Sequence, residues 1–212
     1  GAHRYLLRIE TSNQVLYNRI HPNNEKHSFK KRISSLIDLR SAGYQVGSGI
    51  MIGLPNQSIG DLANDLLFLK EHDLDMVGMG PYVEHIDTPM YYEITKLLSQ
   101  EDRYNLSLLM FALLRILMKD INIASTTALD ALNPNGRIEA LEIASNVIMP
   151  NLTPLKYTEN YHLYNNKPDS LHSDKLVDHI KQAEKLSGNL IAFGEHGDSN
   201  RYRDRLSENA KT

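Results

Sequence analysis

Cysteine is absent from all 212 residues. That excludes disulfides, thiolate metal sites and cysteine nucleophiles within this chain. A basic excess is missing too: the formal net charge is −3, so nothing in the overall balance recruits nucleic acid or an anionic membrane. The longest apolar stretch, Leu106 to Met118, is interrupted by Arg115 and is too short to span a bilayer, and no signal peptide opens the sequence. The expectation is a cytoplasmic protein with no nucleic-acid and no membrane partner. No shift of composition marks a second globular unit. A hydrophobic content of 41% and a charged content of 23% suit one domain with a sizeable core, or a large piece of a bigger one.

What is present is organised around residues 44–57, an apolar run carrying Gly47, Gly49 and Gly53 and closed by Leu54-Pro55. Its apolar residues do not alternate with polar ones, so it reads as a buried parallel strand, with glycines small enough to let a backbone or a ligand approach closely. Ser58 is a good helix N-cap with Asp61 three residues on, and Ile59, Leu62, Leu66 and Leu69 keep helical spacing. Strand, glycine-rich turn and capped helix make one β/α unit. Four more units follow the same grammar. The first is a strand over Tyr5–Ile9, a connector containing Asn13 to Tyr17, and a helix capped by Ser28 and ending at Gly43. The third pairs strand 75–80 with a helix from about Gln100 to Met118. The fourth runs from Ile121–Ser125 through a loop, Thr126–Asn133, to a helix with Pro134 in its first turn. The last has strand Asn146–Met149, then a tyrosine-rich loop, a helix from Ser173 to Gly188, and a polar tail expected to fray. Five strands alternating with helices predict an α/β fold with a parallel sheet, open or curled into a barrel. Ligands bind such sheets at the strand C-termini.

Several polar groups fall at or near those ends. Arg4, Arg8 and Glu10 share one face of the first strand, and three charges aimed into a barrel are costly unless they bind one another or a ligand. A solvated edge is the equal alternative. Thr126 and Thr127 can offer hydroxyls and backbone N–H groups to a carboxylate or phosphate, although paired threonines also serve as turn residues. Glu84, His85 and Asp87 could ligate a metal, but no second histidine stands at ligand spacing. Tyr157, Tyr161 and Tyr164 could form a lid or simply pack. Arg32, one turn into a helix, reads as surface on spacing alone.

Taken in order, Arg4-Tyr-Leu-Leu-Arg-Ile-Glu-Thr11, Met51-Ile-Gly-Leu-Pro-Asn-Gln57, Asp61–Lys70, Asp75-Met-Val-Gly-Met-Gly-Pro81, Asp87-Thr-Pro89, Ser125-Thr-Thr-Ala128 and Asn146-Val-Ile-Met-Pro-Asn151 resemble the HydE family of FeFe-hydrogenase maturases, in the radical S-adenosylmethionine superfamily. The resemblance covers residues 1 to about 168 and implies the last five units of a (β/α)8 TIM-type barrel, with 169–212 left as a C-terminal helix and polar tail. It implies that the chain is a fragment, because the family's first three units carry the Cys-x3-Cys-x2-Cys motif of a 4Fe-4S cluster. In the family the cluster reduces S-adenosyl-L-methionine to a 5′-deoxyadenosyl radical, which acts on an iron carbonyl-cyanide-cysteine precursor during H-cluster assembly. By the same resemblance Arg8, Glu10 and Arg32 bind S-adenosylmethionine, Thr126 and Thr127 hold a carboxylate-bearing molecule deep in the barrel, Tyr157 lies near the mouth, and Arg4 sits lower as a charge partner. Other hydrogenase maturases and an external electron donor are the implied partners, and this chain alone is expected to be inactive. The family's second-cluster cysteines near the C-terminus are missing, and Ala144-Ser145 stands where Gly-Ala is expected. Two alternatives remain: a methylornithine- or biotin-synthase-type radical enzyme, and a non-catalytic half-barrel subunit that needs a cluster-bearing partner.

Overall fold

The computed structural model describes residues 2–150, 153–158 and 173–210. Five parallel strands lie side by side in chain order: β1 (Arg4–Leu6), β2 (Gln45–Ile52), β3 (Met76–Pro81), β4 (Asn122–Ser125) and β5 (Val147–Ile148). Helices fill each crossover, as a parallel sheet requires: α1 (Gln14–Ile20) and α2 (Phe29–Ser41), α3 (Ile59–Glu71), α4 (Gln100–Leu117), then α5 (Thr127–Leu132) with α6 (Gly136–Ile143). Beyond β5 come α7 (Leu155–Thr158), α8 (Ser173–Ser187) and α9 (Asn200–Asn209). The result is a half-barrel, as the strand count implied.

The two faces of the sheet have opposite contents, and the period of two assigns them. Val46, Ile50 and Ile52 of β2 and Val77 and Met79 of β3 face the helices and join one core cluster with Leu62, Leu66 and Leu69 of α3 and Phe111 and Leu114 of α4. Residues of the other parity face the concave side, where β2 and β3 present Gly47, Gly49, Gly78 and Gly80. Side chains from neighbouring strands lie across this bare floor. A Cβ at Gly47 meets Leu6 at 2.5 Å, one at Gly49 meets Arg8 Cγ at 3.2 Å, and one at Gly80 meets Thr126 Oγ1 at 2.2 Å. The glycines make room for polar side chains inside the barrel rather than for a dinucleotide.

Cap chemistry sets the helix boundaries. Ser58 and Asp61 form a reciprocal capping box at α3, with Asp61 N donating to Ser58 Oγ at 3.1 Å and Ser58 N to Asp61 Oδ2 at 2.8 Å. Asn13 caps α1, accepting from Val15 N and Leu16 N, so the expected connector is a helix burying Leu16 and Tyr17. The expected loop Thr126–Asn133 is likewise mostly helix α5, and the next helix starts at Gly136 rather than at Pro134. Both missed helices are too short, at 7 and 6 residues, to show a period. Ala144, where the resemblance leads one to expect glycine, takes φ −160°, extended backbone open to any residue.

The first strand also departs from expectation. Its ladder runs only through Arg4–Leu6, after which Ile9 N and Glu10 N both donate to the Gly49 carbonyl, at 3.1 and 2.9 Å. Two donors on one acceptor mark a bulge, and Glu10 pays its φ of +64° there before pairing resumes opposite Ile50.

The tail does not fray. Ser199 caps α9 through Tyr202 N, and the segment crosses the N-terminal ends of four strands. Arg4 donates to the His196 and Gly197 carbonyls, Asn122 Nδ2 to the Gly197 carbonyl, and Gln45 Nε2 to Asp198 at 2.7 Å. Arg201 pairs bidentately with Asp120, and Arg205 reaches the fully buried Asp75 at 2.6 Å. The Arg201 hydrogen bonds hold the Asp120 carboxyl below its ordinary range. Asp198 is also lowered, its partial burial outweighed by hydrogen bonds from Gln45, His3 and Arg4. A carboxylate depressed in the folded state stabilises above its unfolded value, about 3.9, and that contribution vanishes as pH falls through the folded value. Amide exchange should therefore show α9 losing protection below about pH 4 before β2 and β3 do, and Asp120→Asn should weaken the tail at neutral pH. A tail as protected at low pH as at neutrality would refute this account of its docking.

Candidate functional site

At the C-terminal end of the sheet, a cavity of about 390 Å³ is lined by Arg8 and Glu10 from the segment that follows β1, Gly80 from β3, and Thr126 and Thr127 at the start of α5. The bulge turns Glu10 back toward Arg8. Arg8 Nε lies 2.9 and 3.1 Å from the two Glu10 carboxylate oxygens, Arg8 Nη2 lies 2.9 Å from Oε2, and Nη2 also donates to the Ile50 carbonyl at 2.7 Å. Bidentate pairing of this kind fixes both groups in direction as well as charge. Both side chains remain partly open, at 29% and 20% exposure, so the pair can exchange partners with a zwitterionic ligand. A non-glycine residue held at positive φ beside a cavity fits strain kept for a site.

Across the cavity, the Thr126 hydroxyl donates to the Met79 carbonyl at 3.1 Å and rests in the space that Gly80 leaves free. Thr127 follows at the first position of α5 and lines the same cavity.

The other expected site residues lie further out. Arg32, on α2, donates from Nε to the hydroxyl of the buried Tyr17 at 3.2 Å. Tyr17 in turn stacks on His21 at 3.8 Å between ring centroids. His21 went unnoticed in the sequence; burial lowers its pKa, with Arg32 adding to that effect and Glu10 opposing it. Tyr157 is half exposed on α7 with Lys156 Nζ 4.7 Å from its ring centroid, and it does not line the cavity. Tyr161 and Tyr164 lie outside the described residues. Arg4 stands at the opposite end of the barrel, bonded to the tail. Glu84, His85 and Asp87 do not converge on one point: Glu84 pairs with Arg103 at 2.7 Å, while Asp87, 83% exposed, has its Oδ2 3.8 Å from His85 Nδ1. Among the described residues no group of three histidine or carboxylate side chains is placed to hold a metal.

Sequence reasoning missed the network that braces the site from behind. Asp65 of α3 is fully buried and accepts from Ser12 N and Ser12 Oγ, both at 2.5 Å, from Thr11 Oγ1 and from Gln57 Nε2. Gln57 Oε1 accepts from Gly53 N and Leu54 N, while its Nε2 also donates to the Met51 carbonyl. These bonds tie the turn after β2 to the segment that follows Glu10. Burial pushes the Asp65 carboxyl up despite its donors. The signal was available: Asp65 lies three residues after Leu62 and four before Leu69, a charge on the buried face of an amphipathic helix.

A larger cavity, of about 730 Å³, opens at the strand N-termini between Arg4, Asn122, Asn146 and the tail. It is the space between the sheet and its strap. Parallel sheets bind their ligands at the other end, where the converging groups are.

The geometry defines half of a (β/α)8 barrel with a polar site at its strand C-termini. A solved structure of methylornithine synthase (PylB) shares that fold, with a TM-score of 0.69 over 98% of this chain and 55% of that one, at 22% sequence identity. Nearer in sequence is the [FeFe] hydrogenase maturase subunit HydE of Thermotoga maritima, 48% identical over 167 residues, which is 79% of this chain and 45% of that protein. The chain is thus a HydE-like sequence spanning less than half the length of the curated relative it matches. No family model matches it.

Proposed function

We propose that the chain forms the C-terminal part of a HydE-like radical S-adenosylmethionine enzyme of hydrogenase maturation, the part that holds S-adenosyl-L-methionine and substrate. The observation that carries this is the Arg8–Glu10 pair facing Thr126 and Thr127 across one cavity at the strand C-termini. S-adenosylmethionine is a zwitterion with an added sulfonium, and the site offers both signs of charge. Glu10 would pair with its cationic groups, while Arg8 and Arg32 would receive its carboxylate. Thr126 and Thr127 would hold the carboxylate of an iron–cysteine precursor, Tyr157 would approach from the mouth, and Arg4 would serve the barrel from below. The maturase role brings with it the other hydrogenase maturases, an external electron donor and the cytoplasm, and among the described residues no helix is long and apolar enough to cross a membrane.

A 4Fe-4S cluster does not fit this chain. Its thiolate ligands must come from cysteines, and there are none. What these residues can do is bind and orient: the concave glycine floor lets polar groups reach the barrel interior, and the Arg8–Glu10 pair sets the ligand's direction.

Calorimetric titration with S-adenosyl-L-methionine tests the reading. Glu10→Gln keeps the size and removes the charge, so affinity should fall about 10- to 100-fold, the scale of one hydrogen bond to a charged group. Equal binding by wild type and variant, or none by either, contradicts it.

A further inference from the structure

His85, on the loop after β3, is held in place at the edge of the upper cavity. The Asp87 backbone N–H donates to its Nδ1 at 3.2 Å. In a neutral imidazole a ring nitrogen that accepts carries no proton, which leaves the hydrogen on Nε2; the Asp87 carboxylate lies on the same side of the ring, its Oδ2 3.8 Å from Nδ1, so either protonation form carries a hydrogen on Nε2 with this geometry. That nitrogen makes no hydrogen bond to another described residue, and the ring is 18% exposed while lining the cavity with Arg8, Glu10 and Thr126.

The loop is pinned on both sides of the ring. Before it, the buried Arg103 guanidinium bonds the Tyr82 carbonyl and both oxygens of Glu84. After it, Thr88 donates to the His85 carbonyl through both its backbone N–H, at 3.0 Å, and its hydroxyl, at 2.7 Å. Neither neighbour faces the cavity as a ligand-binding group: Glu84 is occupied by Arg103, and Asp87, largely exposed, keeps its Oδ2 3.8 Å from His85 Nδ1. The loop sets this ring beside Tyr82 and Thr88, which line the same cavity.

We propose that His85 is a ligand-binding residue whose Nε2–H donates to an anionic acceptor, the carboxylate of the amino-acid-like substrate in this cavity. This rests on the proposed function for the ligand's identity and extends it by adding a second wall to the carboxylate site of Thr126 and Thr127. A fixed donor is a specificity device: a substrate lacking the acceptor leaves it unpaired.

Two measurements decide it. Long-range ¹H–¹⁵N correlation spectra of the histidine rings report the tautomer without any ligand; Nε2–H is expected for His85, and Nδ1–H overturns the proposal. Titration with L-cysteine, the carboxylate-bearing probe, should shift the His85 Nε2 resonance in wild type. Binding should weaken about tenfold in His85→Ala and recover in His85→Gln, whose amide reaches the Nε2 position, but not in His85→Asn. S-adenosyl-L-methionine affinity should change less than twofold in all three. Cysteine binding that His85→Ala leaves intact, or no cysteine binding at all, overturns the role of His85. Failure of S-adenosylmethionine to bind wild type instead removes the function on which the ligand's identity rests.

Discussion

Gly49→Ala is expected to abolish cooperative folding. A Cβ built at Gly49 lies 1.9 Å from the Gly78 carbonyl oxygen and 3.2 Å from Arg8 Cγ. The first neighbour is backbone within the β2–β3 ladder, whose partners Gly49 and Gly78 are in register, so no rotamer change relieves the clash. Overpacking where side chains can yield costs about 1–3 kcal/mol, and here the sheet itself must spread, which puts the cost above that range and against a total stability of about 5–15 kcal/mol. Gly60→Ala is the control. Its Cβ meets only Ser58 Oγ, at 3.5 Å, on the exposed first turn of α3, and a gain of up to about 1 kcal/mol is expected from helix propensity. Urea denaturation followed by circular dichroism measures both. A Gly49→Ala protein that melts cooperatively with wild-type midpoint would show that the concave floor is not closely packed.

Arg103→Met should cost about 3–5 kcal/mol, the usual loss when one partner of a buried pair is removed. Arg103 is 1% exposed and meets Glu84 and the Tyr82 carbonyl, while its aliphatic stem covers Gly53, whose φ of +79° bars a side chain there. The variant leaves Glu84, 16% exposed, without its counter-charge. Arg103 holds Glu84 below the ordinary carboxyl range against the opposing effect of burial. Adding Glu84→Gln to Arg103→Met should therefore return part of the lost stability, since the orphaned charge is gone. The amides of residues 82–88 should exchange faster in the single variant than in wild type. Additive losses in the double variant would mean that the two residues act separately.

The sequence disclosed the sheet because the parallel-strand signal is strong: continuous apolar runs such as Val46–Ile52, followed by a cap such as Ser58, can be read without tertiary information. It did not disclose α1 and α5, where a single cap residue outweighs any period. The bulge at Ile9 and Glu10 was hidden as well, because it depends on two N–H groups finding the same Gly49 carbonyl. Alternation grouped Arg4, Arg8 and Glu10 on one face; the left-handed turn at Glu10 brings it onto Arg8, while Arg4 bonds the tail at the other end of the sheet. The tail was misjudged on polarity. Arg201 and Arg205 look like a solvated surface until Asp120 and Asp75 at the strand bases are placed beneath them. His85 was legible only as one member of an acidic loop; its hydrogen bond from Asp87 separates it from its neighbours.

Chemical-shift mapping of S-adenosyl-L-methionine binding tests the central claim most directly, because the two cavities lie at opposite ends of the same sheet. The account predicts perturbation at Arg8, Glu10, Gly80 and Thr126, with Arg4, Asn122 and Asn146 unchanged. Shifts confined to the lower group, or no shift at either end, would contradict the assignment of the strand C-termini as the ligand site.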